Sequence, residues 1–382
     1  MYNGDWQEFW WNSITGPHRA VTGVAEALLS NAAVVLEVPE DMPWRHAMRR
    51  AVEEQIRSMA GAGSTSVKVI DAADECEASV NPGRYVLRKY ATEDISLTYR
   101  EGSGVSIQEY MIRHAVLRDT VVWIKGVDRT QAAQWLKFCR DYRSDSAADG
   151  RFVVELSESA KLPEARGLET VRYRELVREY DLQVFNRFVL DELDKKNDLW
   201  KNYIAALAAS LCRTDAEVSE AFLRQTDFCT EEPLAGIEKV AGLPEFARRG
   251  EDTESTHVLA LWRRGDLAGL ERRVWRAQLQ TLFPIVERLR VNLIRKYEDD
   301  LRRCLRERNV QQFGETVSDP YELELGVLTW LMAKTDDGGF RYLYLPDEDT
   351  RWRIHILKDC RNSLAHANCC TVAQVCDLLQ LR

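Results

Sequence analysis

Ala32-Ala33-Val34-Val35-Leu36-Glu37-Val38 runs directly into Pro39-Glu40-Asp41-Met42-Pro43-Trp44-Arg45. The first seven residues are short, apolar and rich in β-branched side chains, which reads as a buried strand. The two prolines bound a turn, and Trp44–Ala60 then carries Ala47, Ala51, Ile56 and Met59 as a partial helical stripe. Upstream, Ala20–Leu29 reads as a helix. Downstream, Gly61–Ser64 breaks the chain and Ser66–Ile70 is a second strand. Ser106–Leu117 reads as a helix, Thr120–Val127 as a third strand and Asp128–Tyr142 as a helix opened by an Asp N-cap. Arg151–Leu156 is a fourth strand. Strands alternating with crossover helices predict a parallel α/β sheet over about residues 15–160.

Beyond about residue 170 strand signals fade. Val184–Leu193, Trp200–Cys212, Thr214–Phe228, His257–Arg264 and Leu267–Arg308 read as helices, the last broken at Pro284. Asp319–Ala333 is another helix. Phe340–Leu345 reads as a short extended piece, and Asp347–Leu379 as helix broken near Ala367–Cys370. The α/β and all-α parts should meet around 160–180. The expected domains are 1–165 (α/β), 166–265 (helical linker) and 266–382 (helical bundle).

With 382 residues, 45 % hydrophobic and 30 % charged, the chain has an ordinary globular composition, which excludes disorder as the dominant state. The net charge of −9 argues against a general nucleic-acid coat protein. It hides a local reversal. From Arg272 to Arg308 eleven basic residues face five acids, a local +6. Arg288, Arg295, Lys296, Arg302 and Arg303 are the candidate RNA contacts there. A solvated face with i,i+4 pairs such as Glu298–Arg302 and Asp299–Arg303 reads the same residues without a ligand.

Nine cysteines without a basic, apolar leader suggest reduced thiols and a cytoplasmic protein. No apolar run approaches the ~18–20 residues that span a bilayer, so no membrane partner is expected. Cys360, His366, Cys369, Cys370 and Cys376 cluster without the paired spacing of a zinc site, and buried apolar packing accounts for them better. Neither a metal nor a cofactor is expected. Trp6, Trp10 and Trp11 read either as a docking surface or as a staple onto the first domain.

The order of N-terminal elements resembles a P-loop NTPase of the AAA+/STAND type. A strand ending near Asp128 stands where a Walker B acid is expected, and Phe152–Leu156 stands in the sensor position. A working P-loop needs glycine-rich amides, a lysine and a Ser/Thr. Val38–Arg45 offers no Gly, Lys or Ser/Thr, and two prolines and two acids stand there instead. The domain therefore reads as a degenerate P-loop fold that does not hydrolyse ATP in that manner. A plain α/β scaffold with an acidic loop fits the segment equally.

The sharpest motif is Asp359-Cys360-Arg361-Asn362-Ser363-Leu364-Ala365-His366. Over about 270–382, it and the surrounding helices resemble the R-x4-6-H signature of HEPN domains. The resemblance implies an all-α homodimeric bundle. It also implies a metal-independent endoribonuclease, or an RNA-binding relative, of an antiphage or toxin-like defence system, with RNA and other defence proteins as partners. Arg361 and His366 map onto the family's reactive pair, and Asn362 onto its polar position. The chemistry is consistent. His366 can exchange protons near neutral pH, and Arg361 can steady the charge building on a scissile phosphate. Asn362 could orient the imidazole. On an unbroken helix, however, Arg361 and His366 stand about 140° apart, so a distorted helix or a partner protomer has to complete the site. The competing class is a non-catalytic scaffold, a pseudo-ATPase joined to an inactive dimerisation module. There Arg361 would pair with Asp359 or another acid, and His366 would cap a turn.

Overall fold

The β-branched runs do become strands: Ala33–Val38, Thr120–Lys125 and Arg151–Ser157 are buried almost throughout, as central parallel strands are, whereas Ser66–Asp71 buries only Ile70. A computed structural model describes residues 5–30, 32–60, 65–76, 80–102, 104–157, 167–193, 196–251 and 255–380. The chain divides into two units. One runs to Phe185 and includes Thr214–Glu217; the other holds Asn186–Arg213 and the rest of the chain from Val218.

In the first unit the order is α1 (Trp6–Ser13), α2 (Thr15–Leu29), β1 (Ala33–Val38), α3 (Arg45–Ala60), β2 (Ser66–Asp71), α4 (Ala72–Glu75), α5 (Pro82–Tyr90), α6 (Glu93–Thr98), α7 (Ile107–Arg113), β3 (Thr120–Lys125), α8 (Arg129–Arg143), β4 (Arg151–Ser157), β5 (Leu168–Arg172), α9 (Tyr173–Leu176) and the start of α10 (Glu179–Leu193). The sheet order is β2-β3-β4-β1-β5, with every pairing parallel. Register sets Val35 beside Val154 and Ile124 beside Val154. Val35, Ile70, Val122 and Ile124 pack with Trp135 and Phe138 of α8 in one core. β1 leaves towards β2 and β4 leaves towards β5, in opposite directions. With right-handed crossovers, the ends of β1 and β4 form the switch point where open α/β sheets hold ligands.

The tryptophans at the N-terminus are packing residues. Trp10 and Trp11 are fully buried, and the rings of Trp6, Trp10 and Trp44 meet Phe185 edge-on or tilted at 5.7, 5.3 and 6.0 Å. This favours the staple over the docking surface.

The second unit carries α11 (Asp198–Cys212), most of α12 (Ala216–Gln225), α13 (Pro233–Ala241), α14 (Val258–Arg263), α15 (Leu267–Thr281), α16 (Phe283–Lys296), α17 (Glu298–Arg308), a two-strand hairpin β6 (Gln311–Gln312) and β7 (Glu315–Thr316), α18 (Leu325–Ala333), α19 (Glu348–Ala365) and α20 (Val372–Leu378). Among the described residues its other regular elements are helices. α19 packs against α16, α18 and α20, presenting Ile354, Leu357, Cys360 and Leu364 to the core.

Several expectations need correction. The sheet does not end near residue 160: β5 lies at Leu168–Arg172. Only Val171 of it is buried, so no apolar run announces it. The helix expected over Leu267–Arg308 is three helices. Besides the break at Pro284, the chain turns at Tyr297, whose φ of −117° and ψ of 24° leave helical geometry. Asp319–Ala333 is a 3-10 turn at Pro320–Glu322 followed by α18, because Leu323 and Glu324 are extended. Ser106–Leu117 is helical only over α7. Phe340–Leu345 forms no strand, only a bridge from Arg341 to Thr335. The break at Gly61–Ser64, and residues 160–166 of the expected boundary, lie outside the described residues.

Candidate functional site

At the switch point, the loop from β1 to α3 is filled by the protein's own groups. Asp41 is buried and pairs with Arg174 at 3.0 Å, and the Thr214 hydroxyl donates to it at 2.9 Å. The Trp44 amide, which in a phosphate loop would face the ligand, donates to Glu217 at 3.2 Å. Trp44 sits at φ 41°, a left-handed conformation that favours glycine and costs about 1–3 kcal/mol in a bulky residue. It is held there by Trp11, whose indole donates to the Trp44 carbonyl at 3.2 Å. Asp128 does cap α8, accepting from the Thr130 and Gln131 amides at 2.7 and 2.8 Å. The Thr130 hydroxyl, and after it those amides, hold its carboxyl below the usual range. On β4, Glu155 is buried and accepts from Trp123 at 2.6 Å. Arg49 lies 3.4 Å away. Carboxylates are thus committed to amides, hydroxyls and guanidinium groups at the place where an anionic ligand would need those donors.

The Arg–His motif lies in the second unit, at the carboxyl end of α19. The helix is continuous through Ala365 and closes at His366. The His366 amide donates to the Asn362 and Ser363 carbonyls at 3.1 and 3.2 Å, and the Asn368 amide to Ser363 at 2.8 Å. Ala367 takes the left-handed φ of 58° that ends such helices. Cys360 and Leu364 face the core, while Asn362, Ala365 and His366 are exposed. Arg361 is half-buried and its guanidinium bonds Glu324, the residue before α18, at 2.7 Å. Asn362 and His366 therefore share an open face, i and i+4, whereas Arg361 points away from it by about 140°. Within one copy the structure does not bring Arg361 and His366 together.

Residues outside the motif fix this end of the helix. The Trp275 indole donates to the Leu364 carbonyl at 2.9 Å. Buried Gln278 clamps the backbone of Cys370, donating to its carbonyl at 2.9 Å and accepting from its amide at 2.7 Å. Neither residue, nor Glu324, was marked by the sequence. Gln278 sits in an apolar stripe as a polar interruption, which was the available signal. Burial pushes the Cys369 thiol up to about 11, so it stays protonated at neutral pH. Among the described residues no group of three or more His, Cys, Asp or Glu could hold a metal ion.

The basic candidates split into two sets. Arg288, Arg295 and Lys296 lie with Asn292 on one exposed face of α16, at i, i+4, i+7 and i+8. Arg288 and Arg295 have no ion pair among the described residues. Lys296 lies 3.7 Å from Asp347 and stands over the Tyr297 ring. It rims a groove of about 350 Å³ whose apolar wall includes Leu289, Leu293, Trp352 and Ile356. On α17, Arg302 pairs with Glu298 at 2.8 Å as expected. Arg303 pairs with Asp300 at 3.1 Å, not with Asp299. Those two cations are neutralised locally.

No protein-family model matches the chain, and no curated protein does. Among solved structures, the Aeropyrum pernix ORC1 protein in complex with DNA is similar at 14 % identity. The match covers 93 % of this chain and 84 % of that one, with a TM-score of 0.33. Such a likeness carries no functional argument. The class of protein is defined by the sheet and the helices themselves: an α/β unit whose all-parallel sheet fits a P-loop-like fold, joined to a helical unit. Among the described residues no helix is long and apolar enough to cross a membrane.

Proposed function

We propose that the chain is an RNA-directed protein of HEPN type, acting as a homodimer in a defence system. In this reading its α/β unit is a scaffold without ATPase chemistry. The observation that supports it best is the unbroken end of α19, which leaves Asn362 and His366 on one open face and Arg361 on another. Two copies related by a twofold axis would bring the histidine of one beside the arginine of the other. His366 then takes the proton of the ribose 2′-OH as that oxygen bonds phosphorus, Arg361 steadies the phosphorane charge, and Asn362 orients the imidazole; the P–O5′ bond breaks, the 5′-oxygen takes a proton back from the imidazolium or from water, and a 2′,3′-cyclic phosphate is left. The cationic face of α16 would guide the strand electrostatically.

The second reading, a non-catalytic scaffold, is favoured by the Arg361–Glu324 pair, which occupies the guanidinium with a structural partner. Incubating the purified protein with total RNA or tRNA in EDTA separates the two. The nuclease reading expects cleavage that falls by at least about 100-fold in both His366→Ala and Arg361→Ala. Intact RNA after incubation with the wild-type dimer supports the scaffold.

A further inference from the structure

At the far end of α18 from Glu324, about 13 Å of helix away, stands a surface that the Arg–His motif does not use. Trp330, Phe340 and Tyr344 are exposed, at 46, 73 and 66 %. Leu343 and Leu345, on either side of Tyr344, are buried, so the Tyr344 ring takes the outward position. The backbone of the turn is held by hydrogen bonds. Asp336 accepts from the Gly338 and Phe340 amides at 3.0 and 2.9 Å, and Gly339 turns at φ 80°. Trp330 meets Tyr342 edge-on at 5.7 Å, and Arg308 lies 4.9 Å over the same Tyr342 ring.

Exposed charge of both signs lies along this stretch: Lys334 and Arg341 beside the rings, Asp337 in the turn, and Glu348 and Asp349 after Tyr344. Arg308 neutralises Asp336 at 2.9 Å. Lys334 and Arg341, which bracket the turn, are exposed and have no ion pair among the described residues. The one acid left open in the turn is Asp337. The patch abuts the carboxyl end of α17, where Arg306 is also exposed.

We infer that this patch binds an extended single strand of nucleic acid, with bases stacked on Trp330, Phe340 and Tyr344 and phosphates held by Lys334 and Arg341. Exposed rings beside unpaired cations suit a single strand, because every base has a π-face and every linkage a charge. A protein partner would be met by the rings but would leave the two cations without purpose. The inference goes beyond the cleavage reading, since the strand is held whether or not it is cut.

The test is fluorescence anisotropy with a labelled 20-nucleotide uridine RNA, the matching DNA strand and an RNA duplex. Titrations use the full chain in the His366→Ala background, so that cleavage does not interfere. Expected is binding of the single strands over the duplex, quenching of tryptophan emission that is smaller in Trp330→Phe, and at least about tenfold weaker binding in Phe340→Ala/Tyr344→Ala. Lys334→Ala/Arg341→Ala, a second surface variant, should lower the dependence of log K on log salt by about 1.4. RNA bound over DNA adds a reading of the 2′-OH; equal binding leaves a general single-strand platform, and both support the inference. Unchanged strand binding in both double variants overturns it. So does a fall in oligomeric mass on removing the rings while strand binding is retained, which makes the patch a protein interface.

Discussion

Arg361 is the residue on which the functional argument turns, and its partner decides what it can do. Glu324 holds it at 2.7 Å with both side chains about one-third exposed, so the pair is weak in water and a phosphate can compete for it. Glu324→Gln removes that competitor. RNA affinity should rise by about two- to fivefold at fixed salt, measured by anisotropy in the His366→Ala background. Weaker binding instead would show that Glu324 positions the guanidinium. The same reasoning limits the other candidates: Arg302 and Arg303 are bonded within their own helix, whereas Arg288 and Arg295 are free to meet a strand. The motif was legible as adjacent residues. Glu324, Trp275 and Gln278 were not, because their roles come from contacts across 37, 89 and 92 residues of chain.

At the scale of elements, the sequence announces what is apolar and bounded. β1, β3 and β4 stand out because both of their faces are covered, and α8 because Asp128 caps it. β5 escapes notice because a strand held mainly by backbone pairing needs no apolar alternation. The turn at Tyr297 has neither Gly nor Pro to mark it. That Val38–Arg45 holds no Gly, Lys or Ser/Thr was readable from the sequence. That Arg174, Thr214 and Glu217 bond this loop was not. The carboxyl edge of β2 and β3 adds a testable electrostatic consequence. Lys89, and after it Tyr85, hold the Glu75 carboxyl at about 2, and Lys125 lowers Asp71. A carboxyl lowered by folding contributes stability that is complete above its unfolded pKa, ~4.3, and is lost as pH falls through the folded value. In urea unfolding, wild type should therefore exceed Glu75→Gln at pH 5, with the gap narrowing steadily towards pH 2. A gap that does not change with pH would contradict the assignment. The group is partly exposed, so the effect is small.

For the whole molecule, one acidic chain carries an α/β unit whose β1–α3 loop is filled by its own side chains and a helical unit that leaves Asn362 and His366 exposed. The central claim is that two copies complete one site, with arginine from one and histidine from the other. The direct measurement mixes Arg361→Ala with His366→Ala protein, lets subunits exchange, and follows RNA cleavage in EDTA. Each variant alone should be inactive. In the mixture half the dimers are mixed and each keeps one intact arginine–histidine pair, so activity should return to about a quarter of wild type. A mixture as inactive as its components, from a wild type that does cleave, would contradict the shared site and place both residues of each site in one copy.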